Sequence, residues 1–520
     1  MTAIIEKKDR RLIPNWRPFS TTNFLGEIDS FPLNSKIKPN LSIDVYIEDF
    51  CENSTIPFAA DLLSASVVNG FTENTEVKKA ANFILERKAD ATKSQCSIAE
   101  TIISAPKNKV EKFIEHITIN ELDSCLPIND YTSKNYYALR IKLLKKDVTE
   151  FPYNPILWVE LSRYYSILGQ EKQALKAMKI AVQLAPENRF VLRCATRLFS
   201  HYGELELAHD ILRKNEITNF DPWLTSAEIS VAMLKGKTSR FLKRGFELVN
   251  SKNLSPFSIT ELASSIATFE LLFGSRKKSK KMFMKSLVSP NDNSLAQIEW
   301  VLNNKDESLL NKSQLNIHAK HNFEAQAIAN FHDEKLIEAL NNTYQWFCDM
   351  PFSKSSVIMG SSIADILDNR SFSIDFMKAG LIAHPNDAQM LNNIAYYLAL
   401  ENKTIEAISY YEKVNFHGLS GLTKICLNAT HGLIYFREKK YEEGRNAYNE
   451  AIQQIAKENN KYHTRIAVLN YVREEILANT DHIEPAMQLV SLMPSNENDD
   501  IIIKKLRSKV LDLYDKYKNR

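Results

Sequence analysis

One stretch of this chain repeats itself every 34 residues, and a period of that length confines the fold to stacked units. From Pro155, the sequence places Trp158, Leu161, Tyr165, Gly169, Ala174, Met178, Ala181 and Pro186 at positions 4, 7, 11, 15, 20, 24, 27 and 32 of one window. Trp158, Leu161, Ser162 and Tyr165 recur at helical spacing and make one apolar stripe. Ala174, Met178 and Ala181 make a second stripe on a second helix. Gly169 sits between them, where a tight turn uses its freedom at positive φ. Pro186 ends the second helix, because proline cannot continue the backbone ladder. Neither helix can bury its stripe alone, so one hairpin requires neighbours.

The neighbours are present. A unit from Arg189 carries Leu192, Ala195, Phe199, Gly203, Ala208 and Leu212 in register, with its proline displaced to Pro222. Trp223 opens a degenerate third unit, and Thr260 a fourth with Ile266, Ala267, Ser279, Phe283 and Ser286 in phase. Pro152 closes an earlier second helix, Asn135 to Glu150. Pro351 and Pro385 lie 34 residues apart and set the phase of a later array. There Ala327 and Ala339, Ser361 and Met377, then Leu391, Ile394, Ala395, Leu398, Ala407 and Tyr411 occupy the repeat positions. Gly432, Tyr435, Tyr441, Tyr448 and Ala451 fit a further unit, with Gly444 where alanine is usual.

This order of large, small and turn residues resembles the tetratricopeptide repeat. The resemblance covers roughly residues 120 to 458. It implies an all-α fold: a right-handed superhelical solenoid of helix–turn–helix repeats, with an extended N-terminal arm and a C-terminal capping helix region. We divide the chain into an arm (1–40), a divergent helical region (41–118), an N-terminal array (119–302), a connecting loop (303–319), a C-terminal array (320–458) and capping helices (459–520). Within the divergent region, Ile43–Cys51, Pro57–Asn69, Glu76–Glu86, Ile98–Ser104 and Val110–Ile117 read as helices. Tyr462–Leu477, Glu484–Ser491 and Asp500–Tyr517 read as closing helices.

Composition supports an ordered chain: 44% of residues are hydrophobic, and there are only 13 glycines and 17 prolines. Charge is nearly balanced, 66 basic against 63 acidic residues, which speaks against a uniformly basic nucleic-acid-binding protein. No apolar run is long enough to span a bilayer, and Met1 to Arg11 lacks the apolar core of a signal peptide. Six scattered cysteines without a Cys-x-x-Cys pair fit a reducing cytoplasm. Cys194, Cys348 and Cys426 fall in predicted helices and read as buried thiols.

Catalytic signatures are missing. The chain has no phosphate-binding Gly-x-x-x-x-Gly-Lys-Ser/Thr loop, and no Gly-x-Gly-x-x-Gly, His-Glu-x-x-His or Gly-x-Ser-x-Gly motif. His318 and His321 lie three apart and could share a metal, with a carboxylate such as Asp333 completing the shell, but ordinary surface histidines are the simpler reading. The expectation is no catalytic residue, no metal and no cofactor.

Binding residues follow from the resemblance. In such repeats the first helix of each hairpin lines the concave groove, which assigns Arg163, Phe190, Arg193, Arg197 and His201 to the N-terminal groove. Arginine forks bind carboxylates bidentately, so an acidic peptide is a plausible ligand there. Pairing with nearby glutamates is the alternative. The same positions of the C-terminal array give Asn392, Tyr396 and Phe436, a mostly apolar groove suited to an amphipathic helix, the chain's own arm or a closing helix. Val159 stands where family members that clamp a terminal carboxylate need lysine, so that activity is not carried over. Arg276, Lys277, Lys278, Lys280 and Lys281 crowd one helix start, where cations are unfavourable. They read as an anion contact or as a solvated hairpin tip. Trp16, Arg17, Pro18 and Phe19 either pin the arm to a groove in cis or form a docking peptide in trans.

Together these features describe a non-catalytic, cytoplasmic protein-interaction scaffold that binds one or more proteins, without a membrane anchor. Its richness in Lys, Asn and Ile fits a bacterial accessory locus, where such adaptors regulate partner enzymes in anti-phage or toxin-linked operons. The second reading is a nucleic-acid- or nucleotide-responsive regulator that uses the basic groove. Self-association is left open.

Overall fold

The computed structural model describes residues 10–19, 22, 42–69, 72–104, 130–252, 254–311, 321–493 and 499–519. Val110–Ile117, His318 and Cys125 lie outside them. Among the described residues every regular element is helical. Helices α1 (Ile43–Glu52), α2 (Ile56–Asn69), α3 (Thr75–Glu86) and α4 (Lys93–Ser104) surround a small core of Leu62, Leu63, Ala80, Ile84 and Ala99.

Helix α5 (Asp130–Glu150) leads into four hairpins. They are α6 (Pro155–Ile167) with α7 (Glu171–Leu184), α8 (Arg189–His201) with α9 (Leu205–Arg213), α10 (Pro222–Leu234) with α11 (Leu242–Asn250), and α12 (Thr260–Phe273) with α13 (Arg276–Ser286). A single helix, α14 (Asp292–Asn304), follows. Four more hairpins are α15 (Phe323–His332) with α16 (Leu336–Asp349), α17 (Lys354–Ile366) with α18 (Arg370–Ala383), α19 (Ala388–Leu400) with α20 (Thr404–Tyr411), and α21 (Gly421–Arg437) with α22 (Tyr441–Lys457). Helices α23 (Lys461–Ala478), α24 (Ile483–Ser491) and α25 (Ile501–Lys518) close the chain. The protein is an α-solenoid of tetratricopeptide-like hairpins.

Small residues set the crossing within each hairpin. Ser162 donates to the Ala174 carbonyl at 2.8 Å, Ser279 to Ala267 at 2.8 Å and Ser373 to Ser361 at 2.8 Å, each pair twelve residues apart. A longer side chain at either position would hold the helices apart, which is why the repeat keeps Ala and Ser there. Asn154, Asn188, Asp221 and Asp387 cap the first helices of their units through their side-chain oxygens.

The solenoid curls until its two arrays meet. α14 packs on α15 directly, and α5 and α6 pack on α18. Of the segment expected as a connecting loop, residues 303 and 304 belong to α14, and 312–319 lie outside the described residues. The apolar faces of α5–α9 and α15–α25 share one core with Ile13 and Trp16 of the arm. A second core joins α10–α14. Cys194 and Cys426 are buried, whereas Cys348, read as buried from its helical position, is exposed.

Gly169 stands where the arrays touch. Its φ is +65°, and a Cβ there would lie 2.9 Å from the Ile382 carbonyl oxygen and 3.2 Å from that of Ala383. Gly203 takes the matching turn in the next hairpin, φ +78°, with open space around it. Gly203→Ala should therefore cost only the left-handed strain, about 1–2 kcal/mol. Gly169→Ala should cost clearly more, because the α18 end must also move. Urea denaturation of the two variants checks this; equal losses would mean the arrays do not press together at this turn.

Candidate functional site

The concave faces of the solenoid are occupied by the chain itself. The arm, residues 10–19, threads the N-terminal lumen, and Trp16 and Arg17 are each only 1% exposed. Trp16 packs on Phe352 with ring centroids 5.3 Å apart, and Phe19 meets Phe190 edge-on at 5.1 Å. The Phe19 backbone N–H donates to Glu160 at 3.0 Å.

Two arginines anchor the arm. Arg17 pairs with Asp292 at 2.7 Å and with Asp349, and donates to the His321 carbonyl at 3.3 Å. Arg10 forks onto Glu324 at 2.9 and 3.0 Å, and reaches Asn293 at 2.8 Å and Gln297 at 2.9 Å. Asp292 also caps α15 across the helix boundary, accepting the Ala325 N–H at 3.1 Å. Burial pushes the Asp292 carboxyl up to about 7 against the pull of Arg17, and the neighbouring Glu324 and Asp349 push the same way.

Of the N-terminal groove residues expected from the repeat register, Arg163, Phe190 and Arg193 are buried and Arg197 and His201 are half-buried. Arg193 is 4% exposed and makes a two-point pair with Glu261 at 2.8 and 3.2 Å, its guanidinium lying over Trp223. Burial alone would raise the Glu261 carboxyl, but Arg193, Asn291 and Asn293 hold it below its ordinary value. Arg163, also 4% exposed, donates to the Asp349 carbonyl at 3.3 Å. Arg197 lies over the Phe352 ring, 5.9 Å from its centroid. His201 packs between Phe352 and His384, centroids 5.5 and 5.1 Å away. Burial, His384 and Arg197 together lower the His201 pKa well below the usual range. An acidic peptide was the expected ligand for this groove. The segment it holds carries arginines instead, because Asp292, Glu324, Asp349 and Glu160 outweigh the cations not already paired.

The C-terminal groove holds a helix. Tyr396, Phe436 and Asn392 are buried, and α23 lies along this face. Tyr396 donates to Asn470 at 3.0 Å. Glu474 is fully buried between Arg437 at 2.6 Å and Arg473 at 2.8 Å, and Glu475 receives Arg445 at 2.8 Å. Sequence reading missed Arg10, Asp292, Glu324, Asp349, Glu261, Glu474 and Glu475. Their partners lie up to 332 residues away in sequence, where no local pattern reaches.

The basic cluster at the start of α13 is apart from both grooves. Arg276 pairs with Asp306, while Lys277, Lys280 and Lys281 are exposed and turned outward. Among the described residues no group of three or more His, Cys, Asp or Glu side chains converges on a metal-sized site. None of the described helices is long and apolar enough to cross a membrane.

No family model matches the chain, and no curated protein matches it. Several solved structures align over much of its length. Yeast Tom70 is 12% identical with a TM-score of 0.30, covering 75% of this chain and 95% of its own. The human IFIT1 dimer with m7Gppp-AAAA is 12% identical with a TM-score of 0.33, covering 84% and 100%. Naa15/Naa10 bound to HypK-THB is 12% identical with a TM-score of 0.25, covering 92% and 86%. At that distance none of them bears on what this chain binds.

Two outcomes follow from the lumen. Arg17→Ala leaves two buried carboxylates without their cation and should destabilise by about 3–5 kcal/mol in urea denaturation; a loss under about 1 kcal/mol would show that the pairs carry nothing. His201 favours its neutral form in the folded state, so the unfolded chain binds more protons just below the ordinary histidine value of 6.5. Stability should thus fall as pH drops below that value, and His201→Phe should lessen the fall. An unchanged pH profile in that variant would contradict the assignment.

Proposed function

We propose that this protein is a non-catalytic interaction scaffold whose N-terminal lumen is a receptor for an extended segment bearing arginine and aromatic side chains. In the isolated chain that segment is its own arm. One observation carries the reading: the lumen grips residues 10–19 by the means a peptide receptor uses, with the buried Trp16 and the half-buried Phe19 as aromatic anchors and two arginines fixed by carboxylates. The C-terminal groove, filled by α23 in helix-in-groove fashion, is the structural complement that stiffens the receptor.

A partner protein then engages in one of two ways. It supplies a similar segment that exchanges with the arm, or it captures the arm itself once released. Either route couples partner binding to the fit between the two arrays, since the arm touches both. That coupling suits a regulator of a partner enzyme, which is the role we infer for a bacterial accessory locus. The basic-groove reading is weaker, because Arg193 is neutralised by Glu261 and Arg163 is buried against Asp349.

A chain lacking residues 1–22 tests the receptor. A synthetic peptide of residues 8–22 should bind it with micromolar affinity or better in isothermal titration and should restore its thermal stability. The same peptide with Trp16→Ala and Arg17→Ala should not bind. The full-length chain should bind the intact peptide at least about tenfold more weakly, since its site is filled. Failure of the intact peptide to bind a folded, arm-less chain would contradict the proposal.

A further inference from the structure

The near-neutral charge of the whole chain conceals a sharp local excess. Residues 235–290 hold twelve lysines and arginines against three acids, while the other 464 residues carry 54 cations and 60 acids. The three acids do little outside. Glu261 is buried against Arg193, and Glu270, largely buried, accepts the Ser275 backbone N–H at 2.9 Å. Only Glu247 is exposed, paired with Arg244 at 2.9 Å. Glu206 and Asp306 from neighbouring elements pair with Lys235 and Arg276, and Glu270 lies 4.0 Å from Lys278; the cations that remain still give this segment a net positive field.

The fold places that field on the outside of the solenoid. Lumen-facing side chains come mostly from the first helices of the units: Glu160, Arg163 and Arg193, then Glu261, Asp292 and Glu324. The second helices α11 and α13 form the outer layer, and Lys243, Lys277, Lys280 and Lys281 are exposed on them. The two helices adjoin there. Lys285 of α13 donates to the Asn250 side chain at 2.6 Å and to the Val249 carbonyl at 3.3 Å, at the end of α11. Burial, and then the neighbouring Lys281, lower the Lys285 pKa.

Exposed aromatic rings flank the cations. Phe273, 68% exposed, ends α12 just before Arg276. Phe220, 66% exposed, lies under the Arg244 guanidinium, 5.6 Å from its centroid. A solvated lysine ridge has no need of such rings, and a protein partner with carboxylates would favour arginine forks over lysine point charges. Cations that track a backbone, with aromatic faces at the margins, are the arrangement that holds unpaired bases and their phosphates.

We propose that the outer face of α11 and α13 binds single-stranded nucleic acid: phosphates lie along Lys243, Lys277, Lys280 and Lys281, and bases stack on Phe273 and Phe220. This surface is separate from the lumen and does not depend on release of the arm.

The test uses the full-length chain and a fluorescein-labelled 20-nucleotide oligouridylate in fluorescence anisotropy. Binding should weaken steeply between 50 and 200 mM salt, by about tenfold or more if several phosphates are neutralised. The triple variant Lys277→Glu, Lys280→Glu, Lys281→Glu should lose at least about tenfold in affinity. Phe273→Ala should lose about fivefold or more through stacking. A distant control with equal charge change, Lys403→Glu, Lys413→Glu, Lys424→Glu, should bind as the parent does. The proposal is overturned if the oligonucleotide fails to bind at 50 mM salt, or if the control loses as much as the triple variant. It is also overturned if Phe273→Ala binds as the parent does, or if a polyglutamate peptide of equal charge competes as well, which would mark the face as a site for acidic proteins.

Discussion

The Arg17 guanidinium, held between Asp292 and Asp349 at the centre of the solenoid, is the interaction on which the remaining architecture depends. A superhelix that curls back on itself encloses a lumen lined by first-helix side chains. Those side chains cannot all be apolar, since in an open solenoid they face water. Once enclosed they need partners, because a buried charge without one is costly. The arm supplies partners along its length: apolar weight from Leu12 and Trp16, and positive charge from Arg10 and Arg17. Asp292 links three elements at once, pairing with the arm, capping α15 and belonging to α14. That is how a helix without a described hairpin partner joins two arrays.

The C-terminal half solves the same problem with a helix. α23 is buried over most of its length and carries Asn470, Arg473, Glu474 and Glu475 into the interior. Each is met by a group from the groove: Tyr396, Arg437 or Arg445. Burial of an ion pair contributes little net stability compared with apolar packing, but it fixes position, because displacement strands a charge. Arm and helix are thus held by specificity as much as by adhesion.

Hairpin boundaries were legible in the sequence because they arise from short-range chemistry. Gly169 and Gly203 take positive φ, the small residues Ser162 and Ala174 let the helices cross, and the prolines fall at the ends. The register also picks out positions on the first helices, such as Arg163 and Arg193. What meets those side chains was not legible. A residue such as Arg193 looks the same in sequence whether it awaits a ligand or pairs with Glu261, 68 residues on. The closing helix α23 is similar: nothing local in the run Arg473–Glu474–Glu475 tells that Arg437 and Arg445 meet it from the groove. The run Arg276–Lys281 stood out in the sequence, but its continuation with Lys243 of α11 into one outer surface is visible only in the fold.

Amide hydrogen exchange on the intact chain and on a chain lacking residues 1–22 tests the central claim most directly. If the arm ties the two arrays together, its removal speeds exchange in α6 and α8 on one side and in α14, α15 and α16 on the other, while α1–α4 keep their protection. If protection in those five helices is the same with and without the arm, the lumen stands by itself and the arm is not what holds the solenoid closed.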